Sequence, residues 1–112
     1  MDKHVFEILK QLAAGICLSS GGACEVAIHD MSRPSLSDSV IFIENGELTG
    51  RKVGDGMLWP VMEALKNKKG PIDDVLQYEF AAEDGKELSC TLVCVHDAKG
   101  YLQAVLSINR LV

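Results

Sequence analysis

The stretch from Leu88 to Val95 reads as a β-strand with apolar side chains on both faces: Leu88, Cys90, Leu92 and Cys94 on one, Val93 and Val95 on the other. Short glycine-bearing turns flank it, Glu83-Asp84-Gly85 before and Asp97 to Gly100 after, so its neighbours Val75–Ala82 and Tyr101–Asn109 pair with it antiparallel. Antiparallel strands commonly leave one face to water. A strand apolar on both sides therefore needs a layer over each face of its sheet. The rest of the chain has to supply them.

Two helical patterns are available. Val5, Ile8, Leu9, Leu12 and Ile16 share one helical face, with Asp2 as N-cap and Ser19 to Gly22 as terminator, which predicts a helix over residues 2–18. Its stripe suits either its own sheet or a second copy of the chain. Leu58, Val61, Met62 and Leu65 repeat the spacing, with regular helix expected only from Pro60, three lysines near its end, and Gly70-Pro71 as its stop. Between them, Cys24 to His29 alternates as a half-buried strand, Val26 and Ile28 inward and Glu25, Ala27 and His29 outward. Val40 to Ile43 is a second strand, and Asn45-Gly46 after it signals a type I′ hairpin turn with a short return arm, Glu47 to Gly50. The order is α-β-β-α-β-β-β, an α+β fold in a single domain spanning residues 1–112.

Composition narrows the function. The net charge is −5, so the chain lacks a broad cationic face for nucleic acid. Cys17, Cys24, Cys90 and Cys94 form no CxxC pair, which argues for small buried hydrophobes over a zinc site. Lys3, Glu7 and Lys10 interrupt the first apolar segment, leaving no signal-peptide core, and no uncharged run is long enough to span a membrane. The expected compartment is the cytoplasm.

Specific runs carry a resemblance. Cys24-Glu25-Val26-Ala27-Ile28-His29-Asp30, Ile43-Glu44-Asn45-Gly46, and Thr49-Gly50-Arg51-Lys52-Val53-Gly54-Asp55 together resemble the YheO-like PAS domain family. The likeness extends from about Leu9 to Leu111. The family's Ser-Ser-Thr strand stands here as Ser89-Cys90-Thr91, and its Cys-Ile-Asn strand as Ser107-Ile108-Asn109. The chain departs from the pattern at Gly56, often proline in the family, at Trp59-Pro60, and at Arg110, where an aspartate is usual. Membership implies a PAS fold, a five-stranded antiparallel sheet with helices on one face. It also implies the sensing half of a transcriptional regulator whose helix-turn-helix is not within these residues. The chain is then either a piece of such a regulator or a stand-alone module acting through a partner.

Candidate site residues follow. His29, at the end of the first strand, has two ring nitrogens for a polar ligand group, or is an edge histidine bonded to loop backbone. His96-Asp97 reads as a turn. Ser89 and Thr91 share a strand face and offer hydroxyls to a pocket or to cross-strand pairing, and one residue of register slip would exchange that face with the Cys90 and Cys94 face. Asn109 lines either a pocket or a dimer interface. Phe42, Met57, Trp59 and Met62 are apolar lining candidates or core. Arg51 and Lys52 attract an anionic ligand or form a solvated arm, and Asp55 either joins them or fixes a turn.

No nucleophile elbow, phosphate loop or metal set is present, so no enzyme is expected and no cofactor is identified. The expected function is a sensory domain that binds a small ligand, or forms a homodimer, or both, without touching nucleic acid or membrane itself. An assembly module without ligand and a small thiol redox protein using Cys90 or Cys94 are the alternatives.

Overall fold

The computed structural model describes residues 1–33, 35–58, 65, 73–82 and 84–112. Helix α1 (Lys3–Ser19) is followed by strands β1 (Cys24–Asp30) and β2 (Val40–Glu44), a short 3-10 helix (Gly46–Leu48), and strands β3 (Val75–Ala81), β4 (Glu87–His96) and β5 (Leu102–Leu111). The strands form one antiparallel sheet in the order β2-β1-β5-β4-β3. The expected fold class is observed. The second helical segment falls mostly outside the described residues. Of it, Leu65 is helical, and Leu58 and Leu65 pack on the sheet.

Both faces of the sheet are covered, as the β4 pattern requires. On one, α1 lies over Val26, Ile28, Ala104 and Leu106, with Phe42, Val93, Val95 and Ile108 at its margin. On the other, Met57 and the flanking Leu36, Leu58 and Leu65 pack against Cys90, Leu92, Cys94 and Val105. The resemblance implied helices on a single face. Here α1 takes the face opposite Met57 and Leu65, because an apolar stripe stands on each side of β4 and β5 and each needs cover.

Three local readings change in the folded chain. Asp2 does cap α1, accepting from the His4 and Val5 amides at 2.8 and 3.1 Å. The helix is rolled, however. Leu9 and Ala13 are buried and Val5, Phe6, Ile16 and Cys17 pack beside them, while Ile8 and Leu12 are exposed. The small Ala13 lets the helix axis approach the sheet closely, and Phe6 and Cys17 complete the apolar line. Asn45-Gly46 is no hairpin turn. Asn45 adopts the left-handed conformation (φ 58°), and its side-chain amide donates to the Gly22 and Cys24 carbonyls at 2.7 and 3.0 Å, starting the 3-10 helix instead of a return strand. Finally, β1 is buried on both faces from Cys24 to His29, because β2 and β5 flank it and both layers cover it.

The roll of α1 has a measurable consequence. Leu9→Ala should cost about 2–5 kcal/mol of unfolding free energy in urea titrations, the usual range for a core truncation. Leu12→Ala should stay within about 0.5 kcal/mol of the parent at dilute concentration. Comparable costs at the two positions would contradict this orientation of the helix.

Candidate functional site

The sheet face opposite α1 is not uniformly apolar. Strand register aligns Glu25, Asn109, Cys90 and Tyr78 in one rung across β1, β5, β4 and β3. The next rung on the same face is Ala27, Ser107, Leu92 and Leu76, and the next is His29, Val105 and Cys94. Ala27 and Ser107 are the small pair of this floor, with Glu25 and Asn109 on one side and His29 on the other. Glu25, Ala27, His29, Ser107 and Asn109 are all 0% exposed.

A carboxylate so far from water needs several strong donors. Glu25 has four. The Thr49 amide reaches Oε2 at 3.0 Å, and the Thr49 hydroxyl donates to the same oxygen. Arg51 Nη2 reaches Oε1 at 2.8 Å and Asn109 Nδ2 at 3.1 Å. Arg51 is itself nearly buried, with its side chain 8% exposed, and its Nε donates to Thr49 Oγ1 at 3.1 Å.

The chain after β2 is bent to make this possible. Gly50 takes a positive φ of 77° and its amide donates to the Gly46 carbonyl at 2.8 Å. At Gly46 a Cβ would stand 2.5 Å from the Arg51 carbonyl oxygen, so only glycine lets the backbone pass there. Farther along, the Val40 amide donates to the Asp55 carbonyl and the Gly54 amide to the Val40 carbonyl, both at 2.9 Å, tying this loop to β2.

Other polar atoms on this face have no such provision. Among the described residues, His29 Nε2, Arg51 Nη1, Ser107 Oγ and Asn109 Oδ1 are buried without a hydrogen-bond partner, and Tyr78 Oη has only the Cys90 thiol beside it. His29 is held from one side only, by a 2.8 Å hydrogen bond between Nδ1 and Ser39 Oγ. Burial, helped by the nearby Arg51 charge, lowers its pKa to about 3, so the ring is neutral. Burial also raises the Tyr78 phenol well above its ordinary value and pushes the Cys90 thiol up to about 11. Cys90 is therefore protonated at neutral pH, the opposite of what a redox thiol requires. No three His, Cys, Asp or Glu side chains among the described residues are grouped to hold a metal ion.

The structure brings two of the sequence candidates, Arg51 and Asn109, together on Glu25, and places His29 two rungs along β1 on the same sheet face. His29 is no edge residue, since β1 lies between β2 and β5 and the partner is a side chain. Arg51 is buried where Lys52 is solvated, and Asp55 fixes a turn by accepting the Lys52 amide at 2.9 Å. Ser89, Thr91 and Phe42 stand on the opposite face with α1. Trp59 and Met62 lie outside the described residues. Sequence reasoning passed over Glu25, Ser107 and Tyr78. Glu25 had a usable signal, because it shares strand parity with His29 across the small Ala27.

The model of the YheO-like PAS domain family matches residues 1–111. The YheO proteins of Escherichia coli K12 and Shigella flexneri are each 29% identical to 96% of this chain, which spans 46% of their length. Among solved structures, the light state of the Aureochrome1 LOV blue-light photoreceptor is similar, with TM-score 0.53, 15% identity, and coverage of 87% of this chain and 88% of that one. The PAS domain of an HTR-like protein from Haloarcula marismortui aligns with TM-score 0.50 and 12% identity over 99% and 100% of the two chains. At these identities the structural likeness is one of fold.

Two measurements probe the site. Arg51→Met leaves the Glu25 carboxylate buried without its cation and should cost about 3–5 kcal/mol in chemical unfolding. The second concerns pH. His29 is neutral when folded and takes up a proton on unfolding below pH 6.5, so its contribution to stability is complete above that pH and is lost as pH falls toward 3. His29→Gln should therefore flatten the acid limb of the stability profile by about 1.4 kcal/mol per pH unit over that window. An unchanged slope would show that His29 titrates normally in the folded chain.

Proposed function

The chain belongs to the YheO-like PAS domain family, and from that membership we propose that it is the sensory domain of a cytoplasmic transcriptional regulator, binding a small molecule on the polar sheet face. The observation that carries this reading is the buried cluster of Glu25, Arg51, Asn109 and Thr49, with the half-satisfied His29 two rungs away on the same face. Ion pairs in a protein interior add little net stability compared with well-packed apolar residues, so their presence here fits a recognition role better than a packing role. Among the described residues the polar groups of this face act as hydrogen-bond donors and acceptors, and the reading is one of binding without chemistry. Among the described residues no helix is long and apolar enough to cross a membrane.

Output follows from packing. Occupation of the floor favours one placement of the loop carrying Thr49 and Arg51, and the sheet passes that preference to α1 on its other side. Leu12, 51% exposed, and Ile8 beside it give α1 an outward apolar band that supports homodimerisation. The YheO relatives are about twice as long as this chain, which leaves room in such proteins for a separate DNA-binding unit. Nucleic acid contact is assigned there and not to this acidic domain.

Native mass spectrometry of freshly purified protein should show a bound small molecule, and removing it should lower the thermal midpoint. Light scattering should report a dimer that Leu12→Glu converts to monomer. A chain that carries nothing and gains no stability from a metabolite panel, yet still dimerises, would instead be an assembly module.

A further inference from the structure

Resting on that sensory reading, we infer that the site takes an uncharged ligand bearing a carbonyl beside an N–H, that is, an amide, lactam or imide edge. Charge comes first. Glu25 and Arg51 neutralise each other at 2.8 Å, and both are withdrawn from water. An anionic ligand would set a second negative charge beside Glu25, and a cationic one would face Arg51. Either would be desolvated without a counterion of its own.

Hydrogen-bonding capacity comes next. Arg51 Nη1 can only donate. Asn109 turns its amide nitrogen toward the Glu25 carboxylate, which cannot donate, so its Oδ1 is the free end and can only accept. A ligand that satisfies both must present an acceptor and a donor close together. Ser107 Oγ lies on the strand neighbouring Glu25, one rung from Asn109, and can serve either role. Arg51 Nη2 and Asn109 Nδ2 meet at one Glu25 oxygen, at 2.8 and 3.1 Å, and Ser107 stands one same-face rung, about 7 Å, from Asn109, so the three groups are neighbours. Ala27 and Ser107 keep the floor low at that spot, while Leu92, Val105 and Met57 offer apolar surface to the ligand's body.

The test uses nicotinamide, nicotinate and 3-(aminomethyl)pyridine, which share a ring and carry an amide, a carboxylate and an ammonium group. Each is titrated at millimolar concentration into the full chain at neutral pH, with thermal midpoint and heat of binding recorded. Nicotinamide is expected to raise the midpoint, with the other two binding at least about tenfold more weakly, the factor that one lost charge-assisted hydrogen bond supplies. Ser107→Ala should weaken nicotinamide by a similar factor. Its ligand-free midpoint should stay level or rise, because a buried hydroxyl without a partner has been removed, and that also reports that the variant folds. Equal or tighter binding of the carboxylate or the amine overturns the proposal, as does nicotinamide binding that ignores Ser107→Ala. No binding by any of the three, with a bound molecule still seen by native mass spectrometry, overturns the amide class alone. No binding in either experiment removes the sensory reading as well.

Discussion

A single carboxylate organises the interior of this domain. Glu25 sits on a strand buried from both sides, and its charge is tolerated only because four donors converge on it. Three of those donors come from the loop after β2 and one from the far end of β5. The requirement to satisfy one buried charge therefore ties the edge of the sheet, its centre and the following loop into one unit. Remote features serve the same end. The bare Gly46 and the left-handed Gly50 set the path of the backbone that delivers Thr49 and Arg51.

Double cover of the sheet is what places Glu25 out of water at all. The apolar stripes of β4 and β5 recruit α1 on one side and the loop around Met57 on the other, and β1 is enclosed as a consequence. The two faces then differ in character. Beneath α1 the packing is aliphatic and aromatic. Opposite, a line of polar groups runs from Glu25 through Asn109 to Tyr78, with His29 two rungs away.

That asymmetry suits a sensor. The aliphatic face gives the domain its stability and seats α1, while the polar face retains hydrogen-bonding capacity that folding leaves unused. Unmet buried donors and acceptors are costly, and a ligand that meets them gains in proportion. The same strands form the floor of one face and the bed of the other.

The sequence by itself determined the elements, the antiparallel meander, the Asp2 cap and the demand for two covering layers, since these depend on local periodicity and turn chemistry. It also brought His29, Arg51 and Asn109 forward, though without joining Arg51 to Asn109. Only the tertiary structure decided that α1 rolls to expose Leu12, that Asn45-Gly46 opens a 3-10 turn, and that Ser89 and Thr91 belong to the other face from the polar cluster. Above all it decided the fate of Glu25, which alternation alone assigns to solvent. The physical reason is that local pattern records which side of a strand a residue occupies but not what lies over that side. Burial and ion pairing at Glu25 depend on Arg51 and Asn109, groups that come near it only once the loop has closed and β5 has paired with β1.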